Sequence, residues 1–460
     1  MHYIILLLSI PLAIFSDDRL RLKRADILEN VVIDGQAVQY LTGNVVFEKG
    51  AMIINCAKAI NIEKTGQGSM IGNVKVVDDN RSLTCDSLHY DSPNDILNGF
   101  GNARVWDNDY DLLADTLVYY SKLDSGIARG NAELTQKSQI ITSHSIYYAK
   151  HAGEDAVSYT AEGDVTILEN ERKATCGLAI YNRENQTTWL KLNPNVTEKD
   201  QTMAGSEIIL RYKDEVMEHL YIPEQAHVTT LTKGLQEIKI SLNDTTTTRS
   251  EVQFVDDLTG SSLQGFFDEG QMDSLQVEGM ATSLYHIFED SIYQGKNIAS
   301  GDTIIMSFEE NNLDHIVVSG GSRGEYTPDS VTANIDGQII YSSEIIDYKV
   351  DQEQTDLHGN AKIHYTNMDL DAGFINVDWQ SNMLNATPQS NLDSNFTFLK
   401  PIILEQGRDP MTGDEMTYNL TSKKGRVTKG RTSADDGFYT GSHIRTVSYT
   451  HLTLPTILLV

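Results

Sequence analysis

Along most of this chain apolar residues alternate with polar ones, and a Gly-Asn step punctuates the alternation at fixed intervals. Val45 and Phe47, Val74 and Val76, and Ala103 and Val105 each follow such a step at two-residue spacing, the period of a strand with one buried face. The steps fall at Gly43, Gly72, Gly101 and Gly130, 29 residues apart each time, and Gly163-Asp164-Val165 continues the series after 33. Each step is answered by a second segment with a small residue, a large aliphatic three later and a Tyr or aliphatic five later. It reads as Ala57/Ile60/Ile62, Cys85/Leu88/Tyr90, Ala114/Leu117/Tyr119, Ser143/Ile146/Tyr148 and, more loosely, Gly177/Ile180. Asp78-Asp79-Asn80, Ser92-Pro93-Asn94-Asp95 and Asp107-Asn108-Asp109 supply turns between them. No stretch holds a helical period. The pattern predicts an all-β chain whose units, two strands and two turns each, bury their apolar faces by stacking.

Leu83 and Cys85 fall on one face of their strand, whereas Leu88 and Tyr90 fall on the other. Both pairs are buried only if a bulge or corner intervenes near Asp86-Ser87, where small polar residues recur from unit to unit. A strand bent at that point passes from one layer of a sandwich to the other. The predicted fold is therefore a stacked antiparallel β-jellyroll, a folded-over sheet around an internal groove. The period loosens from Asn193-Pro194 to Asp256-Asp257, and Leu242 to Thr248 reads as a polar loop or hairpin. It returns at Met272 to Val277, at Ala299 to Met306, at Gly359 to Ile363 with Ala372/Ile375/Val377, and at Gly413/Met416/Tyr418. These stretches predict two lobes of one architecture, 17–195 and 196–446.

Charge and the termini narrow the setting. Lys and Arg number 36 against 65 Asp and Glu, a net charge of -29, which excludes a nucleic-acid partner because phosphate binding needs clustered cations. The apolar run Ile4 to Ile14 is too short to span a bilayer, so 1–16 reads as a signal peptide removed on secretion. At the other end, Val447 to Thr456 resembles the conceptual translation of a sequencing adapter. Residues 447–460 thus read as a non-native tail, with the natural sequence continuing beyond 446. Three cysteines cannot all pair. The repeat alignment sets Cys56 one residue out of step with Cys85 and on the opposite strand face, so all three read as small half-buried thiols.

Candidate chemistry is thin. Asp107 to Asp111 has the alternating acids of a calcium loop but lacks the following Gly and the closing Glu, and reads as a turn. The 12 histidines lie without metal-binding spacing, and neither a nucleophile elbow nor a phosphate loop occurs. Asp86 and Asp115 could stack as the paired carboxylates of glycoside chemistry. Lys58 and His144 stand at the matching positions, however, which favours a solvated edge. The sequence thus predicts no catalytic residue, no metal site and no cofactor, and a protein that is not an enzyme. Three classes compete: a lipid-conducting bridge, a β-solenoid surface adhesin, and a polysaccharide-degrading β-helix. A 29-residue unit with two turns suits antiparallel pairing better than the short rungs of a parallel helix.

The Gly-Asn-Val unit with its small-Asp-x-Leu-x-Tyr partner resembles the OstA-like β-jellyroll family of lipopolysaccharide transport, which includes LptA and the N-terminal domain of LptD. The resemblance spans about 25–446. Gly301-Asp302-Thr303, Gly320 to Tyr326, and Thr412 to Asn419 with Gly425-Arg426-Val427 are similar to the longer, LptD-type version, while Lys58 and His144 depart from the pattern. The resemblance implies a periplasmic or outer-membrane location and lipopolysaccharide as cargo. It also implies other Lpt-type jellyrolls as partners, and the outer membrane itself if a barrel follows. Holding an acyl chain in water costs about 0.8 kcal/mol per methylene, so a carrier needs a continuous apolar trough. Val74, Val76, Leu88, Tyr90, Val105, Leu117, Tyr119, Ile146 and Tyr148 are the candidate lining, with a closed dry core as the competing reading. The N-terminal edge offers Ile27, Leu28, Val31 and Val32 for strand addition by a partner. Arg19, Arg21, Lys23 and Arg24 make a charged guard strand in the alternative reading.

Overall fold

The computed structural model describes residues 20–62, 65–150, 157–214, 216–239, 247–310, 312–389, 396, 398–434 and 437–447. The leader read at 1–16, all of the tail but Val447, and the first residues of the polar loop at Leu242 lie outside them. The described residues form 34 strands and no helix. They divide into two compact units: unit 1 runs to Asn170 and takes in Thr175–Asn185, and unit 2 takes Glu171–Ala174 and everything from Gln186.

Unit 1 opens with β1 (Arg21–Arg24), β2 (Ile27–Ile33), β3 (Gln36–Lys49) and β4 (Met52–Ile62). The stack continues with β5 (Gln67–Asp78), β6 (Arg81–Asp91), β7 (Ile96–Trp106), β8 (Asp111–Tyr120), β9 (Ser125–Gln136), β10 (Gln139–Ala149) and β11 (Ser158–Glu169). From β2 onward each strand pairs antiparallel with the next, while β1 pairs with β3 beyond the corner. Short polar turns and local pairing make this the simplest way to close every backbone hydrogen bond in a repeated sequence.

The corner falls where the apolar pattern requires it. Leu83, Cys85, Leu88 and Tyr90 are all buried, so both halves of β6 turn their apolar side inward. The extra residue, however, lies in the Gly-Asn strand. Ile71 faces Ser87 and Val74 faces Cys85, so three steps of β5 span two of β6, and the same shift recurs at β3, β7 and β9. Both residues of the step take left-handed backbone, φ +73° at Gly101 and +45° at Asn102. This conformation costs most L-residues about 1–2 kcal/mol but is open to Gly and tolerated by Asn. A Cβ at Gly101 would also collide with the Asp86 carboxylate. That carboxylate accepts a hydrogen bond from Asn102 Nδ2 at 3.1 Å, as Asp115 does from Asn131 at 3.0 Å and Asp26 from Asn44 at 2.8 Å. Asp86 and Asp115 are thus corner clasps, each tied to its own Asn.

The register corrects one alignment. Gly72 packs against Ala57 where Gly101 packs against Asp86, so the counterpart of Asp86 is Ala57 rather than Lys58. Cys56 then matches Cys85, and both are buried on the core side, contrary to the expected opposite faces. The apolar Ile60 and Ile62 imitate the Leu88/Tyr90 spacing one residue late, which is why the sequence misleads there. All three cysteines are buried rather than half-buried, and burial pushes the Cys56 and Cys85 thiols up to about 11.

Unit 2 repeats the architecture less regularly. Its longest strands, Gln271–Glu289 and Ile292–Glu309, run to 19 and 18 residues. The corner recurs with Glu344 in place of the aspartate, accepting from Asn360 Nδ2 at 2.7 Å beside Gly359. Asp302 packs against Gly320 in the same way. Ile304, Val318, Ile346, Leu357, Ile375 and Leu384 form the apolar interior.

Candidate functional site

All nine residues expected to line the groove, Val74, Val76, Leu88, Tyr90, Val105, Leu117, Tyr119, Ile146 and Tyr148, point into unit 1, and none is more than 4% exposed. They come from both halves of the fold. Met52, Val76, Leu83 and Val105 on one side of the corners meet Leu97 and Tyr119 on the other around a cavity of about 10 Å³. A space of that size holds at most one water, so the two walls touch. A lipid chain can lie between them only if they part.

What ties the walls together is a set of ion pairs at the free ends of the folded strands, far from the corner. Lys49, at the end of β3, bonds the Asp95 carboxylate and donates to the Ser92 carbonyl at 2.7 Å, and its ammonium lies over the Tyr90 ring. Both side chains are only 5% exposed. Tyr90 Oη donates to Asp95 at 2.8 Å, and Lys122 reaches the other carboxylate oxygen at 2.6 Å. One unit further along, Arg81 pairs with Asp124 at 3.1 Å and donates to Tyr119 Oη at 2.8 Å. Next, Lys150 bridges Asp107 at 2.8 Å and Asp109 at 2.5 Å, with its ammonium over Tyr110, which packs on Tyr148 at 5.6 Å. The polarity inverts at this last rung. Lys150 thus fills the turn that resembled a calcium loop, where Asp107 Oδ1 also accepts from the amides of Asp109 and Tyr110.

These contacts outweigh the cost of burial. Burial pushes the Asp95 carboxyl up, but hydrogen bonds from Lys122, Lys49 and Tyr90 hold it below its ordinary range. At Asp107 burial is likewise outweighed by Lys150 and the two turn amides. Burial foremost, with Asp124 beside it, pushes the Tyr119 hydroxyl well up and keeps it neutral. Apart from the acids of the turn at 107–111, none of these tying residues stands out in the sequence, because Lys49 at a strand end and Asp95 in a turn lie 46 positions apart. A signal was nonetheless present, in that Asp95 and Asp124 are one 29-residue unit apart.

In unit 2 the interior leaves a cavity of about 50 Å³ among Met203, Met217, Met272, Leu210, Leu220 and Phe267. Arg172 and Glu198, paired at 2.8 Å, stand at its rim. At the N-terminal edge β2 pairs with β3 along its whole length and, among the described residues, with no other strand. Ile27 is 57% and Val32 74% exposed, with Leu28 and Val31 also open. Of the basic guard residues, Lys23 is engaged by Glu48 at 2.7 Å.

Residues 111–216, which include β8 to β11, match the family model of the LptA/(LptD N-terminal domain) LPS transport protein. Over those residues the chain is similar to the OstA-like lipopolysaccharide-transport family. The family is one of transport proteins rather than enzymes. Among solved structures, the chain is similar to LptH from Pseudomonas aeruginosa, the LptA homologous periplasmic component of a lipopolysaccharide transport device. The match has 18% identity and a TM-score of 0.27, and covers 33% of this chain and 94% of that one. No curated protein matches. Among the described residues no helix is long and apolar enough to cross a membrane, which says nothing of strands that cross as a barrel.

Proposed function

We propose that this protein is a periplasmic jellyroll of lipopolysaccharide transport that shields acyl chains between the two walls of its folded sheet on the way to the outer membrane. The observation that carries the reading is the union of the family domain at 111–216 with a repeated interior that is apolar on both walls. Each methylene kept from water between those walls is worth about 0.8 kcal/mol, so a chain of a dozen carbons contributes about 10 kcal/mol toward parting them. The signal peptide at 1–16, the two lobes at 17–195 and 196–446, and an LptD-type continuation beyond 446 belong to this proposal. So does docking at β2, where exposed Ile27, Leu28, Val31 and Val32 on an edge strand suit strand addition by another jellyroll.

Site-specific photo-crosslinking in cells tests the cargo. A photoreactive residue at Leu88 or Tyr119, inside the fold, should capture lipopolysaccharide, while one at Lys75, exposed on the outer face of β5, should not. Equal labelling at the three positions, or none at the inner two, overturns the reading.

A further inference from the structure

On the outer face of unit 2, four strands bring together side chains whose spacing in the sequence gave no metal signal. His315 lies in Asn312–Ser319, Asp347 in Ile345–Lys349, Asp356 and His358 in Gln354–Tyr365, and Asn376 in Met368–Asp378. Their neighbours Ile316, Ile346 and Leu357 are core residues, so strand alternation turns His315, Asp347, Asp356 and His358 to the opposite, shared face. Asp347 and Asp356 stand directly opposite each other in the ladder, and like charges so placed repel.

The surroundings answer that repulsion only in part. Lys349 Nζ bonds Asp356 Oδ2 at 2.6 Å, and Asn376 Nδ2 donates to Oδ1 at 2.7 Å. The His315 ring nitrogen Nε2 contacts Asp347 Oδ1. One lysine against two carboxylates leaves a negative charge when the imidazoles are neutral. His358 Nδ1 is buried without a hydrogen-bond partner, an uncommon state for an interior polar atom. The ring packs against Phe374 at 5.1 Å and Phe396 at 5.7 Å between centroids. Ligand atoms of Asp347, Asp356 and His358 all lie within 4.8 Å of one another.

From this geometry we infer that unit 2 holds a divalent transition-metal site. Asp347, Asp356 and His358 are its ligands, and His315 is a positioning residue on Asp347. A set of imidazole nitrogen and carboxylate oxygen suits Zn²⁺, whereas Ca²⁺ and Mg²⁺ favour all-oxygen shells of six or more ligands. The cation takes up the residual charge and fastens the two adjacent strands of the hairpin that carries all three ligands. Lys349 competes with the metal for Asp356. Binding therefore strengthens when Lys349→Met removes that competitor, which a merely structural cluster has no reason to show.

The test uses the full chain, stripped with a chelator and titrated with ZnCl₂, reading calorimetric stoichiometry and the melting temperature. One zinc per chain and a melting temperature raised by several degrees are expected. Asp347→Asn, which keeps the side-chain shape, and His358→Ala should each abolish both effects. His227→Ala, at an exposed His-Asp pair elsewhere in unit 2, should leave both intact. Co²⁺ gives a second readout, since its visible ligand-field bands should appear with the parent chain and vanish with Asp347→Asn. A folded parent chain that binds no zinc, or zinc binding undiminished in Asp347→Asn and His358→Ala, overturns the site.

Discussion

In unit 1 the ends of the folded strands are fastened by charges: Lys49 to Asp95, Arg81 to Asp124, and Lys150 to Asp107 and Asp109. In unit 2 the buried polar groups are mostly neutral. Asn297 donates to Tyr341 at 2.8 Å and to Tyr285 at 3.1 Å, and Thr332 donates to the Tyr293 carbonyl at 2.6 Å. Lys423, Asp336 and Tyr365 repeat the charged pattern, with Tyr365 donating to Asp336 at 2.7 Å and Lys423 lying over its ring, and Lys349 pairs with the buried Asp356 at 2.6 Å. The two cavities described above differ as well, about 10 Å³ in unit 1 against about 50 Å³ in unit 2. Charges in a dry rim hold firmly while both partners are present and fail abruptly when one is lost. Neutral networks yield more gradually and ignore pH.

The largest consequence lies at the innermost rung. Asp95→Ala leaves the Lys49 ammonium buried without a counter-charge and should cost about 3–5 kcal/mol, read as a lowered urea midpoint. Replacing both partners together, Lys49→Met with Asp95→Leu, should recover most of that loss. If the single and double variants unfold alike, the rung is not a charge clasp. A smaller loss is expected in unit 2, where Asn297→Ala strips two tyrosine hydroxyls of a partner and should cost about 1–3 kcal/mol. The finest test of the contrast is acid. Asp95 and Asp107 are held below their ordinary range, so their contribution is complete above the unfolded value, near pH 4, and is lost as pH falls through the lower folded values. Hydrogen exchange between pH 5 and about 2.5 should therefore unprotect the rim of unit 1 before the Asn297 network of unit 2. Simultaneous loss would erase the distinction. Asp336, held low chiefly by Lys423, should behave as in unit 1.

Much of this was legible in the sequence because the fold is local. Period-2 alternation gave the strands, the 29-residue spacing gave the units, and the parity switch between Cys85 and Leu88 demanded a corner. The sequence did not say which strand carries the extra residue. Small polar residues at Asp86-Ser87 drew attention to the acceptor side, while the backbone strain sits in Gly101-Asn102. The lining candidates were all found inside, since burial follows alternation; whether a chain lies between them does not. The ion-pair rungs escaped because they join strand ends and turns, whose residues look like solvated punctuation until the fold closes them on each other. The cluster of His315, Asp347, Asp356 and His358 escaped because it is assembled across strands, where no sequence spacing records it.

The Gly-Asn corners at Gly101 and Gly130 are each complete within two adjacent strands: the step supplies the bend, and the strand before it supplies the clasp. Nothing about a corner refers to how many others exist. A segment of this kind can therefore be duplicated or deleted without redesigning its neighbours, and every copy adds two strand spacings, about 9.5 Å, to the length of the stack. The sequence is in that sense a measuring rod graduated in units of 29 residues. The length of such a stack can be adjusted by gene duplication alone.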